Sequence, residues 1–304
     1  MFDKLPETTQ ALLRERNFPA DILDRAVVFP PEAGVLLVGS YAEGLAHPAS
    51  DLDFLVLLEG DEAMRQEEQH AAVGHPSTIA DEILLLANGV EVNFEAVRWP
   101  AITPLAQSAQ HLALFSGSYD GPPSLPMLQV IEMRFLSRLR SGIPLRGLPR
   151  IAAWRERLHA DLLPHYWATV NWVGAMDYLE DASSRLERPS DRLAGAIMAR
   201  IAAEGLILSA LAYGGVVLHD LKNASLHVTR MIARGDRLLP PLLDMEELLF
   251  PRPERFGREY FDLVFDQAAR LYICYKEDGK MPTIVEFLRH YGQGRWVLDT
   301  SFVT

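Results

Sequence analysis

Residues 39–58 read GSYAEGLAHPASDLDFLVLL, and the fold turns on this stretch. Gly39 and Ser40 follow the apolar run Val35-Leu36-Leu37-Val38, and a short polar connection leads to Asp51 and Asp53 at the head of a second apolar run. Alternation along a β-strand sends both carboxylates to one face while Leu52 and Phe54 take the other. Two like charges so placed repel unless a cation lies between them. Hard cations such as Mg²⁺ take one or two carboxylates together with substrate phosphates. Gly39-Ser40, between a strand and a helical turn, exposes backbone N–H groups and a hydroxyl that suit an anionic phosphate.

Outward from this stretch, Glu7–Arg16 carries apolar residues at helical spacing and Asp21–Val28 predicts a second, shorter helix. Phe29-Pro30-Pro31 breaks it before the strand Gly34–Val38, and Phe54–Leu58 forms the next strand. Polar, helix-forming Glu62–Ala72 predicts an exposed helix. Asn88-Gly89 then separates the strand-like runs Asp81–Ala87 and Val90–Val97, a strong hairpin signal. In the second arm Val90, Val92, Phe94 and Ala96 share one face and Glu91, Asn93 and Glu95 the other. Leu112–Phe115 predicts an edge strand, and Gly117–Pro123 a linker.

From Leu125 onward the pattern is helical: Pro126–Ser141 with a basic face of Arg134 and Arg138, then Ile151–Leu163, Tyr166–Leu186, Asp191–Ala212, Tyr260–Tyr275 and Thr283–His290. The expected class is α+β, a mixed sheet flanked by helices over residues 1–122 followed by an all-α domain over residues 123–304.

The chain has 304 residues and a formal net charge of −12, which argues against long nucleic-acid partners, whose nonspecific affinity comes from many Lys and Arg contacts to phosphate. Local clusters such as Arg134, Arg138 and Arg140 still suffice for a single nucleotide. The start MFDKLPETTQ lacks the basic and apolar parts of a signal peptide, so a cytoplasmic protein with no membrane partner is expected. The single cysteine, Cys274, lies in the apolar LYICYK and excludes a disulfide within the chain.

Gly39, Ser40, Asp51 and Asp53 resemble the signature of the nucleotidyltransferase superfamily that shares the DNA polymerase β catalytic fold: Gly-Ser after a strand, a variable spacer, then Asp-x-Asp heading an apolar strand. The resemblance implies two Mg²⁺ ions, held by Asp51, Asp53 and a third carboxylate from a neighbouring strand. Val90-Glu91-Val92 fits that third position best, and Glu95 is the runner-up on the same face. It also implies ATP or another nucleoside triphosphate as donor, with Gly39 and Ser40 on its phosphates. Tyr213-Gly214-Gly215 followed by Lys222 is similar to a segment of small-molecule nucleotidyltransferases in which a lysine reaches the phosphates, so Lys222 is a candidate for donor binding.

The implied activity is transfer of a nucleoside monophosphate, AMP by default, to a hydroxyl of a small-molecule acceptor, as in the antibiotic-modifying branch. A protein acceptor, as in AMP-transferring members paired with toxins, and a non-catalytic nucleotide-binding module remain open. One departure bears on both. Many relatives read Gly-Ser-x-Ala-Arg-Gly, and here Glu43 stands where they carry arginine.

Overall fold

A computed structural model describes residues 1–19, 21–25, 27–66, 80–116, 128–252 and 255–278. The chain divides into two compact units, Met1–His111 with Pro126–Asp161, and Leu112–Leu125 with Leu162–Thr304. Residues 128–161, which the sequence places with the helical half, thus fall in the unit that holds the sheet.

The first unit opens with α1 (Glu7–Glu15), α2 (Ile22–Arg25) and β1 (Val27–Val28). β2 (Gly34–Val38) leads through α3 (Gly39–Glu43) to β3 (Leu52–Leu58). β4 (Arg65–Gln66) pairs antiparallel with β1, so this part of the expected helix Glu62–Ala72 is a strand, and residues 67–72 lie outside the described residues. Pairing across the fold has overridden local propensity. β5 (Ala80–Ala87) and β6 (Val90–Arg98) form the expected hairpin, with Asn88 at φ 47° and Gly89 at φ 74°. Positive φ at both turn residues matches the right-handed twist of the strands.

After β6 come α4 (Thr103–Ala109) and, at Gln110–Ser116, a 3₁₀ helix where the sequence predicts a strand at Leu112–Phe115. α5 (Val130–Ser141), β7 (Ile143–Arg146) and α6 (Leu148–Arg157) complete the unit. The sheet order is β5-β6-β3-β2-β7, with β3 and β6 parallel and the other pairs antiparallel.

β3 is buried on both faces because each has a layer over it. On one face Leu52, Phe54, Val56 and Leu58 join Leu13, Leu23, Val92 and Phe94 in a core, and the rings of Phe54 and Phe94 stack 4.8 Å apart. On the other face α5 and α6 lie close. A Cβ on Gly142 would come 3.0 Å from side-chain atoms of both Leu36 and Val38. The Arg155 guanidinium donates to the carbonyls of Leu139 and Gly142, capping the end of α5, and Trp154 Nε1 donates to Glu59.

The second unit contains α7 (Leu163–Leu186), α8 (Arg192–Tyr213), α9 (Ala224–Arg234), α10 (Pro240–Leu243), α11 (Met245–Leu249) and α12 (Arg258–Asp278). Small residues of α8, among them Ala199, Ala202, Ala203 and Ala210, are fully buried, and a Cβ on Gly205 would stand 3.0 Å from the Asn171 carbonyl of α7. Ser209 bonds the Ala168 carbonyl and the Tyr275 hydroxyl, joining α7, α8 and α12. Pro189–Tyr213 is long and apolar enough by composition to cross a membrane, and 56% of that window is buried inside the fold, as in a core helix. The expected helix Thr283–His290 lies outside the described residues.

Candidate active site at the start of β3

The β2–α3–β3 connection is shaped by two left-handed glycines. Gly39 has φ 66° and starts α3, and Gly44 has φ 61° and ends it, with the Leu45 N–H closing onto the Ser40 carbonyl at 2.7 Å. A non-glycine residue carries a steric penalty at either position. Arg16 then staples the loop. It donates to the Ser50 carbonyl at 3.0 Å and to the Gly89 carbonyl at 2.7 Å, tying the approach to Asp51 to the turn that precedes Glu91.

Asp53 sits in the middle of the sheet, opposite Val38 on β2 and Asn93 on β6. Because Phe54 stacks on Phe94, residues two apart from them take the same face, and Asp53, Glu91, Asn93 and Glu95 all share the opposite one. Glu95 is not free on that face. It forms an ion pair with Arg138 of α5, the two side chains being 17% and 15% exposed.

The electrostatics of Asp53 follow from this placement. Burial pushes its carboxyl above the ordinary value, the positive charges of Arg138 and Arg134 pull it down, and Asp51 and Glu95 push it further up. The side-chain oxygen of Asn93, its register partner, is buried without a hydrogen-bond partner. Such an oxygen calls for a ligand, because an unmet buried acceptor costs about 1–3 kcal/mol. Two carboxylates and an unmet amide oxygen are hard donors that fit one divalent cation of the Mg²⁺ type.

Gly39, Ser40, Asp51 and Asp53 thus lie together along one short path from β2 to β3. Glu91 is on the same face and exposed, yet among the described residues no three His, Cys, Asp or Glu side chains converge as a metal cluster. Lys222 is exposed in the second unit, in the turn before α9, where its N–H bonds Asp220 at 2.9 Å. Glu43 is half-buried on α3. The two arginines of α5 are neighbours of Asp53 that sequence reasoning sees only as a basic helical face. Gly142 and β7, which return that helix onto β2, would have revealed their destination.

Residues 21–87 match the family model described as the nucleotidyltransferase domain. Among solved structures the chain is similar to a nucleotidyltransferase-like protein from Exiguobacterium sibiricum 255-15, with 11% identity over 98% of this chain and 84% of that one and a TM-score of 0.38. No curated protein matches the chain. The matched segment holds Gly39, Ser40, Asp51 and Asp53, and the five-stranded mixed sheet with its flanking helices is the nucleotidyltransferase fold.

Proposed function

We propose that the protein is a Mg²⁺-dependent nucleotidyltransferase that moves a nucleoside monophosphate, AMP by default, from a nucleoside triphosphate to a hydroxyl of a small-molecule acceptor in the cytoplasm. The observation that carries this reading is the placement of Asp53 at the start of β3, its carboxylate against Gly39, its register partner Asn93 holding an unmet oxygen, and the charge of Asp51 acting on it.

Asp51 and Asp53 would hold the divalent cations, two by the family resemblance, with Glu91 at the acceptor side. When bound, such cations neutralise the triphosphate and stabilise the attacking and leaving oxygens of an in-line displacement. Gly39, lacking a side chain, lets a phosphate approach the backbone, and the Ser40 hydroxyl donates to a phosphate oxygen. Arg134 adds positive charge beside Asp53, and a role of Lys222 on the β- and γ-phosphates rests on the sequence resemblance alone. In the chemical step the acceptor oxygen bonds the α-phosphorus and the bond to the bridging oxygen of the β-phosphate breaks. Pyrophosphate leaves with the electron pair, and the hydroxyl proton passes to Glu91.

A second reading, a non-catalytic nucleotide-binding module, draws on Glu43 and on the absence of a three-carboxylate cluster among the described residues. Mixing the protein with each triphosphate, Mg²⁺ and a panel of hydroxylated acceptors separates the two. Pyrophosphate release that disappears in Asp51→Ala/Asp53→Ala supports the enzyme. No release with any acceptor, together with tight nucleotide binding that ignores Mg²⁺, supports the module.

A further inference from the structure

Arg138 and Glu95 form an ion pair that the proposed chemistry leaves unused. It lies on the carboxylate face of the sheet, where the Arg138 guanidinium also acts on Asp53, and α5 packs against both β2 and α3, the helix that Gly39 and Ser40 begin. Both side chains are more than four-fifths buried. Neither charge can be left alone there without a large penalty, because a largely buried ion stripped of its partner keeps its desolvation cost.

Resting on the nucleotide-donor reading above, we propose that Arg138 is a donor-phosphate residue kept on Glu95 until a triphosphate arrives. Its transfer to the phosphates then releases Glu95 to the metal-binding side of Asp53. Arg138 is suited to this exchange, since a guanidinium pairs with phosphate in the same forked geometry as with carboxylate.

Each half of the exchange alone is opposed. A divalent cation beside Asp53 without nucleotide meets the positive charge of Arg138 and finds Glu95 engaged. A triphosphate without metal takes Arg138 and leaves Glu95 unpaired, its charge acting on Asp53 alongside that of Asp51. With both ligands present, phosphate satisfies Arg138 and the cation satisfies Glu95. Metal and nucleotide therefore strengthen each other's binding, and by reciprocity the factor is the same in either order. The exchange brings Glu95 in as an added carboxylate beside Asp53 when substrate binds and leaves Glu91 to take the acceptor proton.

The test is a set of binding titrations without turnover, using Mn²⁺ and the α,β-methylene analogues of ATP, GTP, CTP and UTP. In the wild type, the preferred analogue tightens Mn²⁺ binding about tenfold or more. Arg138→Gln binds Mn²⁺ alone more tightly than wild type and the analogue alone more weakly, each by about tenfold, and the mutual tightening is lost. Glu95→Gln gives the mirror image: the analogue alone binds more tightly, and Mn²⁺ gains little from it. A purely structural ion pair would move both variants in the same direction or neither. That pattern in folded protein overturns the proposal, and if Arg138→Gln fails to fold, the sign of the Glu95→Gln shift decides alone. A wild type that binds no analogue, with or without Mn²⁺, overturns this proposal and the donor reading together. A wild type whose coupling survives in both variants overturns only this one.

Discussion

A Cβ built on Gly39 would stand 2.7 Å from Oδ2 of Asp53, and Gly39 already holds φ 66°. The backbone at the start of α3 and the carboxylate of β3 therefore share one space, and only a glycine leaves it to the carboxylate. Gly39→Ala adds left-handed strain and pushes Asp53 aside. It is expected to lower stability by about 1–3 kcal/mol and turnover by about a hundredfold or more, as displacement of a reacting geometry does. Denaturant unfolding and pyrophosphate release measure the two effects, and an alanine variant with unchanged turnover contradicts the placement.

Asp53→Asn separates stability from activity. Burial, the largest influence, raises the Asp53 carboxyl above its unfolded value, so the native state holds that proton more tightly. The group's contribution to stability is then lost as pH rises from the ordinary carboxylate range through the raised value. Removing the charge is expected to raise stability at neutral pH by about 1 kcal/mol in protein stripped of divalent cations, while turnover disappears. Thermal unfolding in chelator reads the first effect, and a variant less stable than wild type contradicts the electrostatic account.

Glu62 gives the opposite sign. Arg150 donates to its two oxygens at 2.5 and 3.2 Å, and this hydrogen bonding holds the Glu62 carboxyl below its ordinary value. Stability from this pair is present above the unfolded carboxylate value and is lost as pH falls through the depressed one. Glu62→Gln is expected to cost up to about 1 kcal/mol at neutral pH, with the difference from wild type vanishing in acid. Unfolding curves across that pH range check the crossover.

In the second unit, Ser209 is fully buried and bonds both the Ala168 carbonyl and the Tyr275 hydroxyl at 2.7 Å. Ser209→Ala strands the hydroxyl of a fully buried tyrosine and is expected to cost about 1–3 kcal/mol. Tyr275→Phe in the same background removes the stranded group, so the double variant loses less than the sum of the two single losses.

Local pattern carries much of this fold into the sequence. The Asn88-Gly89 turn fixes the hairpin because few residue pairs accept two positive φ angles, and the run after Asp51 is too apolar to be anything but a core strand. What local pattern hides depends on distant pairing. β7 is four residues long and contains Pro144, so Gly142–Leu145 reads as a turn, yet it pairs with β2 more than a hundred residues earlier. That pairing lays α5 on the sheet and aims Arg138 at Glu95. The same reason makes Glu91 and Glu95 equivalent by alternation alone. They differ only once α5 is in place, with Glu95 largely buried under Arg138 and Glu91 exposed.

The proposed reaction transfers the α-phosphoryl group with loss of pyrophosphate. Parallel incubations of the protein, Mg²⁺ and acceptor with triphosphate labelled at the α- or the γ-phosphorus test it most directly. The expected result is that α-label becomes covalently attached to the acceptor, that γ-label is recovered only in pyrophosphate, and that both changes vanish in Asp51→Ala/Asp53→Ala. Transfer of the γ-label to the acceptor, or its recovery as inorganic phosphate, would contradict it.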